Sequence, residues 1–485
     1  MAGLTRQAVI VSASRFINQG LMVISPVILV RLLSVQDFGE YREFLMYATL
    51  VGNLAAFSLS NSLLYFIGLQ PGGAWEYVRR IVIALALTSF VAVAGFVLVE
   101  RLAPTPFIGD ALWPCVLYIL FYVNVDFWEF LWVAQKKSTA VFAYTAGRLI
   151  LRITVVIVAA WYTRDVEVII WTLVALEGVR VLVSLYWWRR LAARAPSEPP
   201  RVSWREQLEF CVPSGIAVFV TTLNSSLGGL FIDQTLGEAA LAQFVIAGYV
   251  IMVVYPLRNS ISDVMLPEMA ALAGRSHNGW LPLWQRSVVL FAILLLPAAV
   301  LLGRYAEPFV VSVFSEKYRD AVPVFQLHCV LLALSIFDVA LVLRAVNKTR
   351  ALLFANFICV AVNLGSMYWL VPRYGATGAA GALVISSGVG LWYLLRLVAK
   401  MHGLTVSQLV PVRRLAQVAL ASLLAALVIM PPFWIDQLGI AGAAIASALY
   451  CAVFALLLLR LFHVDESHRL LGMITSRLRL RSSEA

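Results

Sequence analysis

Arg148 and Arg152 stand one helical turn apart inside the apolar stretch GRLILRITVV (147–156). Residues four apart share one face of a helix. The chemistry open to such a pair is the binding of an anion by two guanidinium groups, not the making or breaking of bonds. An arginine at the centre of a bilayer costs roughly 2.5–3.5 kcal/mol on insertion scales, so each needs a carboxylate, a hydrated cavity or an anionic ligand. Glu177 and Arg180 sit three apart in a second apolar stretch and also share a face, and Arg15 lies in a third. Arg15, Arg148, Arg152 and Arg180 thus stand against Glu177, with Asp126 and Glu129 nearer the end of their own segment. A later group contains Arg258, Asp263, Asp338 and Arg344. Two arrangements satisfy these charges. Either they pair internally (Glu177 with Arg148 or Arg152, Asp126 or Glu129 with Arg15), or the surplus of arginine faces a hydrated cationic lumen.

The elements that must hold these residues are membrane helices. Of the 485 residues, 61% are hydrophobic and 13% charged, and the mean hydropathy is +0.87. Soluble domains run near ~45–50% apolar and ~25% charged. Apolar runs of bilayer-spanning length recur along the whole chain. They predict an all-α integral membrane protein of about fourteen helices, near 8–33, 41–68, 79–100, 111–135, 139–162, 166–190, 208–230, 238–272, 284–303, 321–346, 350–371, 376–399, 411–431 and 438–462. Alternate loops collect Arg79 and Arg80, Lys136 and Lys137, the run RRLAARAPSEPPRVSWRE (189–206), Lys348 and Arg350, and Arg413 and Arg414, and the tail adds Arg469, Arg477, Arg479 and Arg481. Most of the 37 basic residues fall on that side. The bias predicts cytoplasmic N- and C-termini, and it makes the net charge of +11 an orientation signal in place of a nucleic-acid footprint.

The linker after the sixth helix divides the chain. The expected parts are a six-helix bundle (1–190), a cytoplasmic linker (191–207), a second six-helix bundle (208–400), two further helices (401–465) and a basic tail (466–485). The five cysteines stand singly in apolar segments, which fits small buried residues better than a metal or redox site. No metal and no cofactor are expected. The tryptophans Trp128, Trp132, Trp161, Trp171, Trp187 and Trp188 lie near helix ends and fit interfacial belts. His328, inside a helix, fits a buried and hydrogen-bonded histidine.

Two internal echoes support the division. The turn LLSVQDFGEY (32–41) aligns with QTLGEAALAQF (234–244), so that Leu33 falls on Leu236 and Tyr41 on Phe244. Both turns are expected on the outer side, which describes a parallel repeat about an axis along the membrane normal. The segments GATGAAGA (375–382) and GIAGAAIA (439–446) share G-x-x-G-A-A-x-A, each opening a helix. Small residues at that spacing permit close helix packing.

RLLSVQDFGEY (31–41), PSGIAVFV (213–220), Asp233, VMLPEMAAL (264–272), FSEKYRDAVPVFQ (314–326) and NKTRALLFANFICVAVNLGSMYWLVPRYGATGAAGAL (347–383) together resemble the polysaccharide and oligosaccharide flippases, the Wzx-like, polysaccharide-transporter branch of the multidrug/oligosaccharidyl-lipid/polysaccharide superfamily. Their order and spacing carry the likeness over residues 5–460. Ala242 departs from the family pattern, where glycine is usual.

The resemblance implies two six-helix bundles around a central cavity, two extra helices, and rocking that opens the cavity to each side in turn. It implies an undecaprenyl-diphosphate-linked oligosaccharide as cargo, moved to the outer leaflet of a bacterial plasma membrane for surface polysaccharide (O-antigen, capsule or exopolysaccharide) synthesis. With that cargo, Arg15, Arg148, Arg152, Arg180 and Arg258 are candidate substrate-binding residues, because a guanidinium fork matches phosphate oxygens. Glu177 and Asp338 are candidate ion-coupling sites. Membrane lipids and assembly proteins such as a polysaccharide polymerase are the expected partners of a monomer that binds no nucleic acid. A drug or metabolite antiporter of the same superfamily is the alternative, but one for organic cations should carry surplus carboxylates at mid-membrane. An enzyme is not expected, since no outer loop is large enough for a catalytic centre and none of the familiar catalytic or phosphate-loop motifs occurs.

Overall fold

The computed structural model describes residues 24–102, 106–192, 198–429 and 439–461. Arg15 and the expected tail fall outside them, as does the side chain of Asp263. Every regular element among the described residues is a helix, and nine helical stretches there are long and apolar enough to cross a bilayer.

The end of the first expected helix is α1 (24–32). The next helix starts earlier than expected, because Ser34 caps it. Its Oγ accepts from the Asp37 amide at 3.0 Å while Asp37 accepts from the Ser34 amide, a reciprocal box that satisfies two otherwise orphaned donors. The expected helix 41–68 is two helices, α2 (Val35–Ala56) and α3 (Ser62–Leu69). Phe57 and Ser58 take left-handed φ of 40° and 57°. Thr88 donates at 2.6 Å to the Ala55 carbonyl freed by that break, as a buried helix end requires.

Then follow α4 (Ala74–Leu102), α5 (Pro106–Asn124), α6 (Phe127–Ala134), α7 (Ser138–Thr163) and α8 (Val166–Ala192). The expected helix 111–135 is again divided, at Val125–Asp126. After the linker come α9 (Trp204–Leu236), capped by a Ser203–Glu206 box and stopped by Gly237 at φ 81°, and α10 (Glu238–Arg275). Next are α11 (Leu281–Arg304), α12 (Ala306–Val313), α13 (Val322–Leu334) and α14 (Val339–Ala345). Thus the expected outer loop 304–320 contains a helix, and the expected helix 321–346 is broken where Asp338 caps α14.

Helix α15 (Thr349–Met401) spans both expected helices 350–371 and 376–399. At 1.5 Å per residue its length is about 80 Å, far beyond a ~30 Å hydrocarbon core. Gly375, with φ 56° and ψ −139°, breaks it, in a backbone region open essentially to glycine alone. The short α16 (Val406–Leu409), α17 (Val412–Ile429) and α18 (Gly439–Leu456) complete the described chain.

Two compact units result. One holds the described residues up to Val245 together with Met367–Ala379; the other holds Ile246–Ser366 and the described residues from Ala380 onward. Helix α9 belongs with the first unit because it packs on α2. A Cβ on Gly215 would stand 2.7 Å from the Phe57 carbonyl oxygen, so the glycine of PSGIAVFV lets α9 press against the broken end of α2.

In the first unit α5 and α7 both pack on α8. Trp128 is 4% exposed and donates to Ser184 Oγ at 2.5 Å, which makes it core in place of interfacial belt; Trp161 is 66% exposed. In the second unit α11 packs on α13 and α17, and α17 on α18. His328 is buried there and bonds the Val324 carbonyl at 2.8 Å.

Candidate functional site

Tyr118 and Tyr122 lie four apart on α5, and Arg148 and Arg152 lie four apart on α7. The two spacings match rung for rung. The Arg152 guanidinium sits 5.9 Å from the Tyr118 ring centre and that of Arg148 sits 5.5 Å from Tyr122. The rings stack on each other at 5.8 Å and 9°. From α8, Arg180 reaches the same place, 5.9 Å from Tyr122 and 5.7 Å from Tyr144, and donates twice to the Tyr144 hydroxyl at 3.2 and 3.0 Å. Each such cation–ring contact is worth about 0.5–1 kcal/mol when exposed and about 2 when desolvated.

Among the described residues, the carboxylates pair differently from the internal pairing that was one of the two arrangements open from sequence. Glu177 bonds Arg180 on its own helix, not Arg148 or Arg152. Asp126, at the break between α5 and α6, bonds Arg148 at 3.2 Å; Arg15, the partner named for it from sequence, lies outside the described residues. Arg152 has no ion pair among the described residues. Among the described residues, the ion pairs of this cluster join two of its three guanidiniums to carboxylates, Arg148 to Asp126 and Arg180 to Glu177. Arg15, the fourth cation counted from sequence, lies outside the described residues, and the helix break adds Asp126 to the carboxylates of this cluster. Arg148, Arg152 and Arg180 are all half-buried, placed to offer N–H groups to an anion.

Arg258 and Asp338 lie in the other unit. Arg258 stacks 5.2 Å from Tyr255 and donates to the Ser335 carbonyl at 3.2 Å. Asp338 is 2% exposed. Its Oδ1 accepts from the Leu341 amide at 3.2 Å, its Oδ2 accepts from Ser262 at 2.6 Å, and Arg344 stands 3.9 Å away. Those bonds cap α14 and tie it to α10. Glu177, also 2% exposed, is engaged by Arg180.

Sequence reasoning passed over Tyr118, Tyr122 and Tyr144. The signal was available in part, since YILFY (118–122) repeats the i, i+4 spacing of the arginines. A cleft of ≈ 850 Å³ also lies in this unit, lined by apolar side chains of α2, α4 and α9 with Tyr47, Glu100 and Gln234. Arg148, Arg152 and Arg180 do not line it.

A family model described as polysaccharide biosynthesis protein matches residues 28–323. No curated protein matches the chain. Among solved structures, the lipid II flippase MurJ in an inward closed conformation superposes with TM-score 0.72 at 14% identity, covering 93% of this chain and 99% of its own. An inward-facing multidrug-resistance MATE-family transporter of the MOP superfamily gives 0.59 at 15% identity, over 79% and 96%. A MOP-superfamily transporter from Pyrococcus furiosus gives 0.56 at 14%, over 81% and 96%. At these identities the likeness is one of fold.

Proposed function

Because the chain belongs to the family of polysaccharide biosynthesis proteins and has the helical fold of MOP-superfamily transporters, we propose that it is a flippase for a lipid-diphosphate-linked oligosaccharide. The cargo moves from the cytoplasmic to the outer leaflet of a bacterial plasma membrane by alternating access, in the service of surface polysaccharide assembly. Undecaprenyl diphosphate is the carrier this reading favours, and the basic loops favour cytoplasmic termini.

One observation carries the proposal. Arg152 is held over Tyr118 with no ion pair to a carboxylate among the described residues, beside Arg148 and Arg180. A guanidinium kept half-buried in an apolar bundle without a directly paired carboxylate is costly, and a phosphate oxygen offsets that cost with charge-assisted hydrogen bonds. The tyrosine rings hold the forks in place before the anion arrives, which lowers the ordering cost of binding. The same net positive charge works against an organic cation as cargo.

The test is reconstitution in liposomes with a fluorescent lipid-diphosphate oligosaccharide, scored by its accessibility to a membrane-impermeant quencher. Transbilayer movement that needs the protein and stops in Arg152→Ala is the expected result. Movement that is the same for a cargo lacking phosphate would rule out the anion-binding role. In cells, a deletion strain should accumulate the lipid-linked intermediate, whose chemical analysis identifies the sugar.

A further inference from the structure

Away from the arginines, the first unit holds a second charged cluster that the transport proposal does not use. Glu43 on α2 is 1% exposed, and its Oε2 has no hydrogen-bond partner among the described residues. An unpartnered buried carboxylate oxygen carries the full desolvation penalty of a charged group. The Asp233 carboxyl, near the end of α9, stands within hydrogen-bonding reach of Glu43, and the Tyr47 hydroxyl donates to Asp233 Oδ2 at 3.4 Å. The charges acting most strongly on Glu43 are acidic: Asp233 on α9, Glu238 at the start of α10 and Glu40 on α2. Glu100 on α4 acts on Tyr47, and Cys115 on α5 lies buried in the same field.

The backbone enforces this crowding. A Cβ on Gly39 would lie 2.1 Å from the Glu238 carbonyl oxygen, so only glycine lets α2 press on the start of α10. Further along α2, Asn53 donates to Thr222 on α9 at 3.3 Å. The two carboxyl groups are therefore held together by the packing of three helices. Ionised carboxylates only accept hydrogen bonds. A bond between two of them exists only when one carries a proton.

We propose that Glu43 and Asp233 form a proton-binding site, in which one proton shared between the carboxyl groups clasps α2 to α9. The proton makes one carboxyl a donor and the other accepts, with Tyr47 completing the shell of Asp233. Parting α2 from α9 gives both groups back to water and releases the proton. By linkage, protonation then favours the joined state by the same factor as joining favours protonation. The site stands independently of which cargo the protein moves.

Infrared difference spectroscopy of the purified protein in lipid nanodiscs, titrated through neutral pH, tests this directly. The wild type should show the carbonyl stretch of a protonated carboxyl, shifted by carbon-13 glutamate or aspartate labelling and lost as pH is raised. Glu43→Gln and Asp233→Asn should each remove the band. Glu43→Gln keeps a donor toward Asp233 and is expected to fold, and Asp233→Asn provides a second route to the same answer. A wild type without the band, or a band that survives in either isosteric variant, overturns the proposal. Displacement of the band by sodium at constant pH also overturns it, since the pair would then hold a metal cation.

Discussion

Arg148 and Arg152 are equivalent by spacing, yet the structure gives them different neighbours, and substitution should separate them. Arg152→Ala removes one ring contact at 5.9 Å, near the outer limit of such interactions, worth about 0.5–1 kcal/mol. Arg148→Ala removes a similar contact and also strands Asp126, whose side chain is 28% exposed. Removing one member of a fully buried pair costs about 3–5 kcal/mol, and the partial exposure brings this to roughly 2–3 kcal/mol. At about 2–4 °C per kcal/mol for a unit of this size, the melting temperature should drop by about 1–4 °C for Arg152→Ala and about 4–12 °C for Arg148→Ala. Asp126→Asn added to Arg148→Ala removes the stranded charge and should recover most of the lost stability. Transport should not recover, because the cation that meets phosphate is still missing. The assay is thermal unfolding in nanodiscs alongside delivered surface polysaccharide in a complementation strain. Restored transport in the Arg148→Ala, Asp126→Asn double variant would show that Arg148 serves only to balance Asp126. Equal destabilisation by the two single variants would show that Arg152 has a counter-charge of its own.

Three further outcomes are expected. Gly378→Ala places a Cβ 2.3 Å from the Leu370 carbonyl oxygen, an overpacking cost of about 1–3 kcal/mol; membrane abundance should fall, and normal abundance with lost transport would move this position into the cargo path. His402 is 8% exposed, and burial together with the neighbouring His277 pushes its pKa below the ordinary value. The unfolded chain then takes up a proton first as pH falls, so this contribution to stability is complete above about pH 6.5 and declines below it. Melting curves from pH 7.5 downward should show that decline, and His402→Gln should flatten it. Finally, single cysteines placed at 198–203 should react with an impermeant reagent only from the cytoplasmic side and those at 315–317 only from outside; the opposite pattern would reverse the orientation drawn from the basic loops.

Much of the fold was legible because hydropathy is a local property. Apolar runs of bilayer length identify membrane helices without reference to any neighbour, and Gly375 marks a break because a positive φ with ψ near −139° excludes side chains wherever the segment sits. The breaks at 57–58, 125–126 and 335–338 were not legible, since the flanking residues stay apolar. What divides those helices is tertiary: Thr88 supplies the hydrogen bond that the open end of α2 requires, and Asp338 caps α14 while accepting from Ser262 on α10. The candidate site divides in the same way. Spacing placed Arg148 with Arg152 and Glu177 with Arg180 on single faces, because i, i+3 and i, i+4 geometry belongs to one helix. Which carboxylate meets which guanidinium depends on distances between helices, and those follow from how α5 and α7 pack on α8. Hence Asp126 came to Arg148, Glu177 stayed with Arg180, and the tyrosines of α5 came to lie under the arginines. The Glu43–Asp233 pair shows the same limit, for 190 positions of sequence separate two oxygens that only the packing of α2 against α9 brings together.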